Sequence, residues 1–373
     1  MTLDAWLLNE LEHDRNVGLE RHLSEIPAGI LSFSTNDYLG LSSRPELREA
    51  AEKTLADAPI GACASRLVSG HTRHHRLLEE SLASFKRTAR ALTFPTGYAA
   101  ATGTIPVLTG PGDTVVLDKL CHACLLDAAK LSGATVRVFE HNQPGALEDI
   151  LRWTREKDAR GKILIIAESV HSMDGDTAPL QALCDLKDSY GAWLMIDEAH
   201  ATGVFGSEGR GLCNEPGVAG RVEIQMGTLG KALGTAGGFI AGSDALIDLL
   251  IHRARSFLFT TAAPPALAAA ATAAIALCRG KTGHDLRLRL AVLLEHFHHL
   301  APHLPIQSPI IPVLIGDASA ATARSAGLLE KGFHVPAIRY PTVPQGTARL
   351  RISINATHRE EDLNGLATAI QAT

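Results

Sequence analysis

The chain is poor in aromatic residues, 5% of its 373 positions, and carries only six cysteines, at 63, 121, 124, 184, 213 and 278. Thiols this sparse and scattered do not form a disulfide framework; they fit reduced side chains in a cytoplasmic protein. Long apolar runs are absent as well. The alanine-rich stretch Pro264–Leu277 is too short to span a bilayer and reads as a packed helix, so no membrane segment is expected. No basic n-region leads into an apolar core at Met1–Trp6, and no secretory signal is expected. Charge of one sign never gathers into a block, and the net charge is -5, which argues against a nucleic-acid partner. Two nucleotide signatures are also missing. The string Gly227-Thr228-Leu229-Gly230-Lys231-Ala232 is not a P-loop, because Gln225 occupies the first glycine position and Ala232 replaces the metal-binding Ser/Thr. No strand-GxGxxG-helix unit occurs.

What is present is a long α/β alternation. Residues 1–44 read as an N-terminal arm, with an amphipathic helix carrying Leu7, Leu8 and Leu11 on one face and a short strand near Ile30–Phe33. Across residues 45–277, apolar runs at Ala91–Phe94, Thr114–Leu117, Thr135–Phe139, Ile163–Ala167, Trp193–Ile196, Val222–Met226 and Phe239–Ala241 alternate with helical patterns such as Cys124–Leu131, Ala146–Glu156 and Pro179–Tyr190. Several of these runs are apolar at consecutive positions, as strands buried on both faces must be. The pattern predicts a mostly parallel sheet flanked by helices. The turn-rich stretch Cys278–His284 marks the expected start of a smaller α+β domain over residues 278–373, with a helix at Leu286–Leu300, strands at Ile310–Ile315 and Arg349–Ile354, a helix at Ala318–Lys331 and a closing helix.

In parallel α/β sheets, ligands bind beyond the carboxyl ends of the strands. There the sequence offers Lys231, Asp197 with His200, Gly97-Tyr98 opening a helix, Glu168 followed by Ser172-Met173-Asp174-Gly175-Asp176, and Asp118 with His122 nearby. A lysine that can form an imine, an aspartate to pair with a pyridinium nitrogen, and a helix N-terminus for a phosphate are the parts of a pyridoxal-phosphate (PLP) site. Each has a plainer use: Asp197 could cap a helix, Asn36 could hold a turn and Arg351 could form a strand-end salt bridge. No metal site is expected. Cys121-His122-Ala123-Cys124 resembles half a zinc site but has no second half, and His71, His74 and His75 read as a solvated or locally hydrogen-bonded helix start.

The ordered set Asn36-Asp37-Tyr38-Leu39-Gly40-Leu41, Ser65–Gly70, Thr96-Gly97-Tyr98-Ala99-Ala100, Ser172–Asp176, Asp197-Glu198-Ala199-His200, Gly227–Ala232 and Pro341–Arg351 resembles the α-oxoamine synthase family, within the aminotransferase-like (fold type I) PLP enzymes. The resemblance runs nearly end to end. It implies the aminotransferase-like PLP-dependent transferase fold, with Lys231 carrying the cofactor and moving the substrate's Cα proton. It implies Asp197 at the ring nitrogen, His200 at the phenolic oxygen, His122 stacked on the ring and Ser172 beside it. Gly97, Tyr98 and Thr228 would contact the phosphate. Thr260 or Thr261 would reach the other subunit's phosphate, which implies a homodimer with shared active sites. Asn36 and Arg351 would hold a substrate carboxylate, while Arg21 and Thr342 would face the acyl chain.

Within the family, the short N-terminus and the segments Thr260–Pro265 and Ala337–Pro344 favour the members that join L-alanine to a pimeloyl thioester, on coenzyme A or acyl carrier protein, in biotin synthesis. Members that use glycine and acetyl-CoA are the alternative. A partner subunit without catalysis is disfavoured by the presence of Lys231, Asp197 and His200, and a plain aminotransferase would not depend on a thioester. Four departures from the family's usual residues stand out: Ala101 for asparagine, Cys124 for serine, His171 for an aromatic residue and Ala201 for glycine.

Overall fold

The computed structural model describes residues 1–23 and 25–371. By internal contacts these form two compact units, one of Asn36–Ser172 with Asp176–Ala291 and the other of Met1–Thr35, Met173–Gly175 and Val292–Thr373. The divisions fall at 35/36 and 291/292, where the sequence suggested 44/45 and 277/278. The turn-rich stretch at Cys278–His284 explains the later shift. Gly280 interrupts the chain only briefly between the helices Pro265–Arg279 and Lys281–Leu300, and the second helix runs on without a break.

The larger unit is built on a seven-stranded sheet: β1 (Arg90–Phe94), β2 (Thr114–Asp118), β3 (Thr135–Phe139), β4 (Ile163–Glu168), β5 (Trp193–Asp197), β6 (Ile224–Thr228) and β7 (Gly238–Gly242), in the order β1-β7-β6-β5-β4-β2-β3. Only β7 runs antiparallel to its neighbours. The consecutive apolar runs are strands covered on both faces: every residue of β2 and β4 is buried. One apolar cluster joins Val115, Leu117, Leu164 and Ile166 to helices Gly97–Leu108 and Ala123–Ser132, and another joins Val116, Ile163 and Ile165 to helices Pro144–Lys157 and Leu180–Tyr190. Each such side chain contributes about 1.5–3 kcal/mol when fully buried. Asp118 and Glu168 break this pattern at the last positions of β2 and β4, where they are 3% and 2% exposed. From β3 the chain crosses over β2 to lay down β4, so the winding direction reverses there. Such a reversal opens a crevice at the carboxyl edge of the sheet.

The expected strand at Val222–Met226 begins and ends two residues later. Gly227 and Thr228 pair with Phe239 and Gly238, extending β6 toward the lysine. A side chain at Gly227 would meet the Phe239 ring at 2.4 Å, which accounts for glycine in the strand.

In the smaller unit, β8 (Ile310–Gly316), β9 (Ala337–Ile338) and β10 (Ala348–Ser353) form an antiparallel sheet in the order β9-β10-β8. The expected helices appear at Ala318–Glu330 and Glu360–Gln371. Leu31–Ser32 pairs in parallel with Phe333–His334. The N-terminal helix forms at Leu3–Asn16, capped by the Thr2 hydroxyl, but none of its residues is buried. The Leu7, Leu8 and Leu11 face stands open at 41%, 62% and 50% exposure. Among the described residues no helix is long and apolar enough to cross a membrane.

Candidate active site

Lys231 lies in the loop from β6 to β7, and that loop is held by its own backbone. Leu229 N–H donates to the Gly237 carbonyl, Thr235 N–H to Leu229 and Gly234 N–H to Lys231. The Thr228 hydroxyl donates to the Gly237 carbonyl at 2.9 Å and accepts from Gly230 N–H at 3.2 Å. Thr228, expected at a phosphate, thus also shapes the lysine loop. The loop packs on the segment after Asn36, where a side chain at Gly234 would stand 2.3 Å from Ser42 N.

The Lys231 amine lies 2.7 Å from Nε2 of His200, and Nδ1 of His200 lies 2.7 Å from the hydroxyl of fully buried Tyr38. That hydroxyl donates to Asn36 Oδ1 at 3.2 Å. One hydrogen-bonded line therefore runs from Lys231 through His200 and Tyr38 to Asn36. Tyr38 is not among the residues expected at the site, although its Asn-Asp-Tyr-Leu-Gly segment is part of the family resemblance. Its neighbour Asp37 explains the segment's shape, because its carboxylate accepts from Leu41 and Ser42 N–H.

Asp197 ends β5 and is 4% exposed, with Oδ1 accepting from Ala199 N–H at 2.9 Å. The adjacent Glu198 is fully buried and serves another purpose, pairing with buried Lys86 and accepting from Cys213 N–H. Glu168, at the end of neighbouring β4, accepts from His122 N–H at 2.5 Å and from Ser172 N–H at 3.2 Å. A single buried carboxyl thus braces two loops that carry expected site residues. Burial and the Asp197 charge push this carboxyl up to about 7. His122 caps the helix Ala123–Ser132 by accepting from Cys124 N–H. Loss of water pushes His122 below its usual range; Asp197 opposes the shift and Lys231 adds to it, so these groups share one electrostatic environment. Burial pushes the Cys124 thiol well up, which keeps it neutral.

At the end of β1, Thr96 caps the helix Gly97–Leu108 and takes up Ala99 N–H at 3.0 Å. The first N–H groups, at Gly97 and Tyr98, have no intrahelical partner, as at any helix start. A side chain at Gly238 would meet the Thr96 carbonyl at 2.5 Å, so β7 closes tightly against this end. Tyr98 is half exposed and donates to Asp127. Ala101 is fully buried in the apolar cluster, where it fills space. Thr261 is exposed and bridges Ser65, and Thr260 is half-buried.

Three expected residues belong to the smaller unit. Arg351 lies within β10, 4% exposed, and donates to Ser353 Oγ at 2.8 Å. Arg21 and Thr342 line one cavity of about 490 Å³ together with Arg339, whose guanidinium is fixed by the Gly18 and Glu20 carbonyls.

The histidines 71, 74 and 75 differ from one another. His75 is buried at 2% exposure, accepts from Thr72 N–H to cap its helix and meets the Ala263 carbonyl at 2.9 Å. Burial pushes it down to about 4, so it is a neutral capping residue; only His71 of the three is exposed.

The family comparisons agree with this geometry. Residues 28–370 match the family described as aminotransferase class I and II. The 8-amino-7-oxononanoate synthase of Geobacter sulfurreducens is 43% identical over 98% of this chain and 96% of its own length. That of Aromatoleum aromaticum is 46% identical over 91% of this chain and 88% of its own. The chain belongs to the class I and II aminotransferase family, in its 8-amino-7-oxononanoate synthase group. Among solved structures, a serine palmitoyltransferase from S. paucimobilis with bound PLP-myriocin aldimine superposes with a TM-score of 0.91 at 28% identity, covering 100% of this chain and 98% of that one.

The fold is therefore the aminotransferase-like one, and the enzyme is PLP-dependent. The residues present fit that cofactor. An amine, a buried carboxylate and an open helix N-terminus stand at the carboxyl ends of β6, β5 and β1, all on one edge of one sheet. The geometry adds Tyr38 to the residues expected from sequence, and gives Glu168, already placed at a strand end, its task of holding two backbone N–H groups. The signal for both is positional, since Tyr38 stands beside Asn36 and Glu168 closes a strand at the crevice edge.

Proposed function

We propose that this protein condenses L-alanine with a pimeloyl thioester, releasing carbon dioxide and the free thiol carrier and forming 8-amino-7-oxononanoate for biotin synthesis. The observation that carries the proposal is the Lys231–His200 contact at 2.7 Å beside buried Asp197, in a chain of the 8-amino-7-oxononanoate synthase group. PLP, when bound, supplies an electron sink that accepts the pair left at Cα after loss of a proton or of carbon dioxide.

The remaining work falls to the chain. Lys231 would hold the cofactor covalently, and its amine is the group that would take and return the substrate's Cα proton. With PLP bound, Asp197 would pair with the ring nitrogen and His200 with the phenolic oxygen, His200 being held on its other side by Tyr38. His122 would cover one ring face and Ser172 would adjoin it, with Glu168 holding a backbone N–H group of each. Gly97, Tyr98 and Thr228 would take the phosphate end. Asn36 holds the substrate carboxylate. The roles of Arg351 at that carboxylate, and of Arg21 and Thr342 toward the acyl chain, rest on the family resemblance, supported by the shared cavity of the last two. Thr260 or Thr261 would serve the partner's phosphate in a cytoplasmic homodimer, and the acyl carrier is coenzyme A or acyl carrier protein.

The test is thiol release by the PLP-loaded protein with L-alanine plus pimeloyl-CoA against glycine plus acetyl-CoA. Preference for the first pair is expected. Preference for the second assigns the same site to the glycine-using alternative. For the shared site, mixed dimers of a Lys231→Ala chain with a Thr261→Val chain should regain activity that neither parent has.

A further inference from the structure

Beside the PLP site, the same crevice edge holds a second cluster of chemically active side chains. Asp118 comes from the end of β2, His141 follows β3, and His171 and Asp176 follow β4. A carboxylate oxygen of Asp118 and one nitrogen from each imidazole lie within 4.8 Å of one another. Asp118 Oδ1 is the common point, 2.8 Å from His141 Nδ1 and 3.6 Å from His171 Nε2. Ligand atoms around a tetrahedral ion with bonds of roughly 2.1 Å stand about 3.4 Å apart. The two measured edges bracket that separation, so side-chain shifts of about 1 Å or less would close the set on an ion.

The second observation is His171 itself. It is fully buried, and its ring nitrogens stand 3.6 Å from Asp118 and 3.7 Å from Asp176, paired in charge but just beyond hydrogen-bond distance. Buried polar atoms are almost always hydrogen-bonded, and two on one ring that fall short call for an explanation. It also stands where the family's usual residue is aromatic, so the ring shape is kept while two ligating atoms are added.

The far side of the cluster completes the pattern. Asp176 Oδ2 lies 2.8 Å from His141 Nε2, and Asp176 Oδ1 faces His171 Nδ1 at 3.7 Å. Metal-bound imidazoles ordinarily give their second N–H to a carboxylate, which fixes the ring and its tautomer; His141 does so here, and His171 faces the same carboxylate from just beyond hydrogen-bond reach. Asp118 is oriented in turn, through Leu120 and Asn142 N–H groups. Against the lowering effect of burial, Asp118, joined by Asp176 at His141, raises both imidazoles above their usual range, so protons balance the two carboxylates; a divalent cation bound here would displace those protons and supply the same charge.

We propose that Asp118 Oδ1, His141 Nδ1 and His171 Nε2 bind one divalent transition-metal ion of the zinc class, with Asp176 as the outer partner of both imidazoles. The mixed imidazole and carboxylate donors select this class over calcium or magnesium. Two ligands are nearly sealed while His141 is 22% exposed, so the ion enters and keeps a water on that side. The ion ties together the loops after β2, β3 and β4, two of which carry His122 and Ser172. Its role is structural: it positions those loops.

The test uses the PLP-loaded full chain, first treated with chelator and then titrated with zinc chloride or cobalt chloride in mildly alkaline buffer, where protons compete least. One ion per chain is expected, with visible cobalt absorption and a rise in the unfolding temperature that chelator reverses. His171→Phe should lower the affinity by about 100-fold or more, and Asp176→Asn by roughly 10–100-fold. No retained ion, or equal retention by His171→Phe, overturns the site. X-ray absorption on the zinc-loaded wild type does not depend on any variant folding. Nitrogen and oxygen scatterers with imidazole signatures support the assignment, whereas sulfur bonded to the metal moves the ion to the cysteines and overturns it.

Discussion

Nε2 of His200 lies 2.7 Å from the Lys231 amine, and its other nitrogen is held at the same distance by Tyr38. If the lysine donates to Nε2, then Nδ1 carries the ring proton and donates to the Tyr38 oxygen, and the Tyr38 hydroxyl passes its own proton toward Asn36. Every member of the line then has one donor and one acceptor in register. Tyr38→Phe breaks it at a buried point and removes the hydroxyl from Nδ1. A lost buried partner costs about 1–3 kcal/mol, which corresponds to roughly a 5- to 150-fold loss in kcat/KM if the whole cost falls on the reacting geometry. The pH profile of kcat should move as well, because the imidazole that faces Lys231 changes its tautomer. A change in stability with kinetics and pH profile intact would assign Tyr38 to packing alone.

Lys231 is the residue whose loss should separate binding from chemistry. Its loop is braced by backbone hydrogen bonds that do not involve the side chain, so Lys231→Ala should fold and still bind PLP reversibly. Reduction with borohydride and then peptide mapping should fix cofactor to Lys231 in the wild type and to no residue in the variant. Turnover should fall by roughly 10²–10⁴-fold or more, the range for loss of a general acid–base group. Covalent capture elsewhere in the variant would reassign the attachment point.

The strand-helix alternation and most of the site are legible in the sequence because both obey local rules. Ile163–Ala167 can only be a strand with both faces covered, and the residues just beyond the end of such a strand face the crevice. Glu168 is harder to assign. Its role lies in accepting two backbone N–H groups that arrive from different loops, and one-dimensional spacing does not carry that convergence. His141 is invisible for the same reason: it meets Asp118 and Asp176 only once β2, β3 and β4 are side by side. His171 stands out in the sequence as a departure from the family, yet its meaning depends on those partners. The exposed leucines of Leu3–Asn16 show the opposite limit. Their periodicity predicts the helix that forms, but periodicity says nothing about whether a surface exists to receive its apolar face.

Gly234 ties the lysine loop to the Asn36 segment, and the contact leaves no room for a side chain. Its φ is +65°, and a Cβ would stand 2.3 Å from Ser42 N and 2.7 Å from the Leu41 carbonyl carbon. Both obstacles are backbone atoms that cannot rotate aside. Gly234→Ala should therefore cost about 1–2 kcal/mol for the left-handed conformation and about 1–3 kcal/mol for overpacking. Chemical denaturation measures the sum. Weaker Tyr38–His200 alignment should also raise the KM for L-alanine, whereas Gly112→Ala, at φ +92° with open space around it, should show the conformational cost alone.

Glu168 makes the stability of the cofactor-free protein depend on pH in a direction unusual for a carboxyl group. Burial and the Asp197 charge raise it from 4.5 to about 7, so the native state holds the proton more tightly than the unfolded chain does. Its contribution is then fully present below about pH 4.5 and is lost as pH rises through about 7. Glutamine cannot ionise, but its single carbonyl oxygen serves only one of the His122 and Ser172 N–H groups and leaves the other facing an amide. Glu168→Gln should accordingly be less stable than wild type in acid, by about 1–3 kcal/mol, and the gap should narrow steadily toward neutrality as the wild-type carboxyl ionises. Denaturant midpoints for both proteins across this range decide the matter. A gap that widens with pH would mean that Glu168 is already ionised in the native state, with the two backbone N–H groups outweighing the burial.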